Sequence, residues 1–131
     1  MSLSDAEVIR DQYEAVNERD FPRAMSHYDD DVELVVPSAA FLSSGTFRGR
    51  DDVGRWFGDW FSTFDRDTRF DVDEILELED GSVLLVAEVH GSGRVSGAVT
   101  HMTVVWAYRL RDGKIVHVEG YESRDEAVAE R

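Results

Sequence analysis

The stretch Val99 to Tyr121, VTHMTVVWAYRLRDGKIVHVEGY, constrains this chain more than any other part of it. It is rich in β-branched and aromatic residues and is interrupted once, at Arg111-Asp112-Gly113, so it reads as two long strands joined by a tight turn. Gly113 supplies the positive φ such a turn needs, and Asp112 tolerates the position before it. His101, His117 and Glu119 stand among apolar neighbours, and titratable groups on a buried-looking sheet point to the wall of a small-molecule pocket. The turn leaves their facing open. A two-residue loop pairs Tyr108 with His117, Trp106 with Glu119 and Val104 with Tyr121. A three-residue loop with a glycine bulge pairs Trp106 with Val118 and Val105 with Glu119, and the period of two then sends His117 and Glu119 to the face opposite Trp106.

The other 108 positions of the 131-residue chain fit around that hairpin as one domain, residues 1–131. A 42% hydrophobic, 11% aromatic composition excludes a disordered chain. With 28 acidic residues against 14 Lys plus Arg, the net charge is −14, which repels phosphate backbones and anionic lipid; neither nucleic acid nor a membrane is expected as partner. There is no cysteine, hence no disulfide and no thiolate metal site, which suits a reducing cytoplasm. No apolar run approaches the ~20 residues of a membrane span, and the opening MSLSDAEVI lacks the basic and apolar regions of a signal peptide.

Ser4-Asp5-Ala6-Glu7 is a capping-box pattern, after which Ala6, Ile9, Tyr13 and Val16 recur at helical spacing. Asn17-Glu18-Arg19-Asp20 breaks that helix. A short second helix carries Phe21, Ala24, Met25 and Tyr28 on one face, with Pro22 in its first turn. Asp29-Asp30-Asp31 reads as a solvated turn and Val32–Val36 as a short strand stopped by Pro37. Ser38 to Gly49 reads as a flap over a cavity mouth. A third helix begins near Arg50-Asp51-Asp52, with the apolar stripe Val53, Trp56, Phe57, Trp60, Phe61 and Phe64. In the strand from Arg69 to Glu79, Phe70, Val72, Leu76 and Leu78 share one face. Glu74 falls on that face too, as a pocket carboxylate or as a residue re-aimed by a β-bulge. In the next strand, Ser82 to His90, both faces are apolar in the middle, and Glu88 and His90 share a side near its end. The glycine-rich link His90–Gly97 is a mobile connection between strands, since a phosphate-binding loop needs a helix directly after it. Ser123-Arg124-Asp125-Glu126 caps a short terminal helix.

Three segments, YEAVNERDFPRAMSHYDDDVELVVP, GTFRGRDDVGRWF and YRLRDGKIVHVEGY, resemble the SnoaL-like branch of the nuclear-transport-factor-two-like superfamily, which includes polyketide cyclases, ketosteroid isomerases and limonene-epoxide hydrolases. The resemblance covers nearly the whole chain. It implies an α+β fold: a cone-shaped, strongly bent mixed or antiparallel sheet wrapped around three N-terminal helices (a cystatin-like roll), with a short C-terminal helix. It also implies a homodimer packed through the outer sheet face, and it puts Trp106, Val118 and Gly120 on the pocket wall with Glu119 and Tyr121 outside. The family's catalytic residues do not carry over. Val36, before Pro37, stands where ketosteroid isomerases have their proton-abstracting aspartate. Gln12, beside Tyr13, is nearest their oxyanion-binding tyrosine, and Val105 or Trp106 their second oxyanion donor. Gly120 falls at the register of the cyclase aspartate.

The remaining candidates for acid–base work are His90, His101, His117, Glu88, Glu119 and Glu74. Of these, His101, Glu88 and His90 are the expected catalytic set, with Glu88 and His90 near the mouth; Tyr13, Trp56, Trp60 and Trp106 join His101 as pocket lining. The histidines at 27, 90, 101 and 117 form no helical i, i+3 or i+4 pair, so no metal is expected, and no cofactor. The functional expectation is a pocket for an apolar, ring-containing metabolite with cofactor-free isomerisation, cyclisation or dehydration chemistry. The alternative is a non-catalytic dimeric binding or assembly module. A cavity of roughly a few hundred Å³ holding a His or Glu side chain favours the first; one filled by Phe57, Trp60 and Trp106 alone favours the second.

Overall fold

The computed structural model describes residues 4–36, 45–62, 68–92, 99–121 and 123–129, with the side chains at 60–62, 92, 99–102 and 129 outside the description. Helix α1 (Asp5–Asn17) starts as its sequence dictates: the Ser4 hydroxyl accepts from the Glu7 backbone N–H, and the Glu7 carboxylate accepts from Ser4 N–H in return. It buries Val8, Ile9, Gln12, Tyr13, Ala15 and Val16. Arg19, in the left-handed region at φ 63°, ends it, and its guanidinium donates to the Thr68 carbonyl. The Asn17 side chain acts as an extra strand rung: its amide donates to Phe70 O and its carbonyl accepts from Phe70 N–H, each at 2.8 Å. Helix α2 (Phe21–Met25) is capped by Asp20, whose carboxylate accepts from Arg23 N–H.

Tyr28 opens strand β1 (Tyr28–Val36) rather than closing α2, and Asp29-Asp30-Asp31 lie in that strand, not in a turn. They fall where its pairing with the last strand is irregular, Tyr28 opposite Ile115 and Glu33 opposite His117, so two β1 positions five apart face positions two apart. The expected flap splits: residues 38–44 lie outside the described residues, while β2 (Gly45–Arg48) pairs antiparallel with β1 as an edge strand. Helix α3 (Arg50–Ser62) buries Val53 and Trp56 and half-buries Phe57. Its remaining expected stripe, Trp60, Phe61 and Phe64, lies outside the described side chains. Gly54 admits the α2 side chain Met25; a Cβ there would stand 3.4 Å from the methionine methyl.

Strands β3 (Arg69–Glu77), β4 (Val83–Ser92), β5 (Val99–Arg111) and β6 (Lys114–Tyr121) complete a six-stranded mixed sheet of order β2-β1-β6-β5-β4-β3. Only β1 and β6 run parallel; every other neighbour pair is antiparallel. The sheet wraps α1, α2 and α3 with its inner face, where Val83, Leu85, Ala87, Val89, Trp106, Tyr108 and Val118 join the main core. On the outer face, helix α4 (Arg124–Ala129) sets Ala127 against Leu84, Val105, Ala107 and Tyr121. The Ser123 hydroxyl caps it, accepting from Glu126 N–H.

Two bulges decide which side chains see the inside. The β5–β6 turn is a two-residue loop with positive φ at Asp112 (53°) and Gly113 (78°), pairing Arg111 with Lys114 and Leu110 with Ile115. Val116 is then an extra residue, so Arg109 meets His117, Tyr108 meets Val118 and Trp106 meets Gly120. This register matches neither simple loop, yet it places Trp106, Val118 and Gly120 together inside. In β3, Val72 pairs with Ala87 but Glu74 with Val86, leaving Asp73 as the extra residue. Glu74 thereby turns outward to a two-pronged pair with Arg124 (2.9 and 3.1 Å). The same shift moves Leu76 and Leu78 to the outer cluster, away from the face of Phe70 and Val72.

Candidate functional site

The inner face closes on an apolar cavity between α1, α2, α3 and the sheet. One wall is aromatic. Trp56 and Phe57 from successive positions of α3 meet Trp106 of β5, with ring centroids 5.2 to 6.3 Å apart and rings steeply inclined, the edge-to-face arrangement aromatic quadrupoles favour. Trp106 can lie there because Gly120 opposes it without a side chain. The α2 residues Phe21, Ala24 and Met25 line it as well, and Phe21 is 40% exposed, which marks the α2 side as the mouth. The room open to the centres of water-sized molecules is about 40 Å³. That holds a few waters and falls short of the roughly few hundred Å³ expected of a catalytic pocket.

The buried end is polar. Gln12 and Tyr13 from α1 and Tyr28 from β1 line the cavity, each at least 96% buried. Gln12 Nε2 donates to the Tyr28 hydroxyl at 2.5 Å, and the Tyr13 and Tyr108 hydroxyls share a hydrogen bond of 2.6 Å. Burial holds the three phenols above the usual tyrosine range, and the neighbouring Tyr13 hydroxyl pushes Tyr28 and Tyr108 further up. All three are therefore protonated hydrogen-bond donors at neutral pH. The Gln12 Oε1 atom is buried without a hydrogen-bond partner. No imidazole or carboxylate is among the described residues lining this cavity.

Of the residues expected from sequence, Tyr13, Trp56 and Trp106 line the cavity. The side chains of Trp60 and His101 lie outside the described residues; in backbone register His101 stands opposite His90. Glu88 and His90 are not near the mouth. They alternate with Val83, Leu85, Ala87 and Val89, which fill the core, and so occupy the outer face. There His90 pairs with Asp71 at 3.2 Å and Glu88 at 3.6 Å. The Val116 bulge likewise sends His117 outward, between Glu33 at 3.1 Å and Glu119 at 3.2 Å. His27 completes the set at 2.7 Å from Asp11. Each of the three histidines with a described side chain is thus held by a carboxylate away from the cavity. Gln12, noted from sequence only as the position nearest the isomerases' oxyanion-binding tyrosine, was not expected in the lining, although its spacing of four from both Val8 and Val16 puts it on the buried stripe of α1. Among the described residues no group of His, Asp and Glu is placed to hold a metal ion.

The model of the SnoaL-like domain matches residues 9–118, most of the chain. This protein belongs to the SnoaL-like family. Solved structures carry the same fold. An NTF2-like protein of Burkholderia thailandensis is 24% identical with a TM-score of 0.79, over 97% of this chain and 98% of that one. TerC, co-crystallised with polyporic acid, is 22% identical with a TM-score of 0.76 over 97% of both. A Mycobacterium tuberculosis protein in complex with estradiol-17beta-hemisuccinate is 18% identical with a TM-score of 0.75, over 94% of this chain and 97% of that one. A search of curated proteins finds no match. Among the described residues of this SnoaL-like domain, no helix is long and apolar enough to cross a membrane.

Proposed function

We propose that this SnoaL-like protein binds an apolar, ring-containing small molecule in the cavity behind Phe21. The observation that carries the reading is the joining, at one place, of the Trp56–Phe57–Trp106 wall with a buried polar network whose amide oxygen has no partner. Aromatic walls with a few convergent polar groups are the usual make-up of a small-molecule site. Structural relatives with ring-bearing ligands, polyporic acid and an estradiol ester, support the same class of guest. Removing a proton from carbon at neutral pH needs a base within reach of it. The described lining offers protonated phenols and an amide instead, so it supports binding and polarisation of a ligand oxygen rather than proton abstraction by Glu88 or His90. A homodimer through the outer sheet face is the second part of the reading. The half-buried Leu76, Leu78 and Val86 beside α4 and the exposed Val128 on it leave apolar surface there for a second copy.

Isothermal titration calorimetry with a panel of neutral bicyclic and tetracyclic compounds tests the first part. Saturable binding that Ala24→Leu abolishes by filling the cavity, with the far-ultraviolet circular dichroism unchanged, is the expected result. No binding to any panel member overturns it. Sedimentation velocity reads the dimer, and a monomer at micromolar concentration rejects that part.

A further inference from the structure

We infer that a second copy of this chain packs over the Glu33–His117–Glu119 cluster of the outer sheet face, and that a proton on His117 is required for the two copies to associate. This rests on the outer face being the dimer surface. Leu34 and Val118 belong to the main core, so their strand neighbours Glu33, His117 and Glu119 stand on the opposite side of the sheet. The cluster adjoins the apolar patch around α4. Glu119 lies opposite Ala107 and Tyr121 opposite Val105, and Ala107, Val105 and Tyr121 all belong to that patch. An interface of standard size takes about 20–30 residues a side. That is more than the patch supplies, so a copy seated there runs on over these three side chains, each about a quarter exposed.

The His117 imidazole sits between two carboxylates, with Nδ1 3.1 Å from a Glu33 oxygen and Nε2 3.2 Å from a Glu119 oxygen. Only the protonated ring has a hydrogen for each of them; the neutral ring turns a lone pair toward one carboxylate. The cations nearby do not replace that proton. Arg48 of β2 is held by Glu33 at 2.8 Å, and Arg109, opposite His117 in register, by Asp80 at 2.8 Å. With His117 charged, the charges of Glu33, Glu119, Arg48 and His117 cancel. With it neutral, each copy carries one uncompensated negative charge into the interface. Water meets that charge in the monomer. A second copy strips the water away, and a twofold axis brings the same charge from its own cluster. Each copy also starts from a net charge of −14, so repulsion already opposes association. Association therefore takes up protons: the dimer strengthens as pH falls through the histidine range and weakens as pH rises through it.

Sedimentation velocity of the full chain at about pH 5.5 and about pH 8 decides the matter. The dissociation constant is expected to be roughly tenfold or more lower at the lower pH. His117→Gln abolishes the difference and leaves association weak at both. Glu119→Gln removes the charge that needs the proton, so it associates at the higher pH as tightly as the wild type does at the lower. That gain of association is not imitated by a loss of folding. His27→Gln removes an imidazole paired with Asp11 of α1 and keeps the pH dependence, which separates the cluster from a general fall in negative charge. Equal association of the wild type at both values, or tighter association at the higher one, overturns the inference and leaves the dimer standing. A pH dependence that survives His117→Gln, or a Glu119→Gln variant that stays dissociated at the higher pH, overturns it as well. A wild type that is monomeric throughout overturns the outer-face dimer together with it.

Discussion

Replacing Gly120 by alanine tests the packing that shapes the cavity. A Cβ built at Gly120 stands 2.8 Å from Trp106 Cζ3 and 3.3 Å from both Cε3 and Cη2. Carbon atoms in contact prefer about 3.5–4.0 Å, so the indole has to retreat by close to an ångström. It has little room to do so, because Trp56 and Phe57 hold its far side with centroids at 6.1 and 6.3 Å. Overpacking of this kind costs about 1–3 kcal/mol. The backbone preference for alanine over glycine in a strand returns about 0.5–1 kcal/mol. The net expectation is a loss of about 1–2 kcal/mol, or a fall in Tm of roughly 3–8 °C for a domain of this size. Urea-induced unfolding measures the loss, and the near-ultraviolet circular dichroism of the tryptophans reports the tilt of the ring. The displaced indole moves away from the sheet and into the cavity, which shrinks the space between α1, α2 and α3. An unchanged unfolding midpoint with an unchanged tryptophan band would refute the reasoning, since the ring would then not rest on Gly120.

Three further perturbations follow from other contacts. Asp11 is held at a pKa of about 2, below its ordinary 3.8, first by hydrogen bonding to Arg23 and then to His27. A depressed carboxylate adds stability that is complete above the unfolded pKa and lost as pH falls through the folded one. Stability should therefore drop by about 1 kcal/mol between pH 4 and pH 2, a figure reduced from the full shift because Arg23 reaches solvent. Urea midpoints across that range read it, and Asp11→Asn flattens this part of the profile. Tyr108→Phe strands the buried Tyr13 hydroxyl and is expected to cost about 1–3 kcal/mol in the same assay; a neutral result would mean the two hydroxyls do not pair. Ser4→Ala removes the cap of α1 and should cost about 1 kcal/mol by thermal melting.

Local chemistry made some of this architecture legible in the chain. Ser4 and Glu7 announced the start of α1, Asp112-Gly113 the turn, and Val53, Trp56 and Phe57 the inward face of α3. The interrupted alternation at Glu74 exposed the β3 bulge, though not its consequence for Leu76 and Leu78. Pairing between distant strands hid the rest. The tetrapeptide Gly45–Arg48 is too short to show an alternation and becomes a strand only because β1 lies beside it. The Val116 bulge has no residue signature, because it reconciles the hairpin turn with the pairing farther up the same strands. Glu88 and His90 sit on a strand apolar on both sides, so alternation separates them from Val89 without saying which side holds the helices. Gln12 was visible as a helix-face position, but its partner, the Tyr28 hydroxyl, lies sixteen residues on at the start of β1.

The extra residue at Val116 has a meaning for how such a domain changes over generations. Without that offset, the two-residue turn alone would align His117 with Tyr108 and Glu119 with Trp106, on the wall of the cavity. The chain thus carries an imidazole and a carboxylate one register step from the cavity. A slide of β6 by one residue that takes Val116 into the ladder would turn both side chains to the inner face, with no residue inserted, deleted or replaced. Sequence identity at the sliding residues would not record the event.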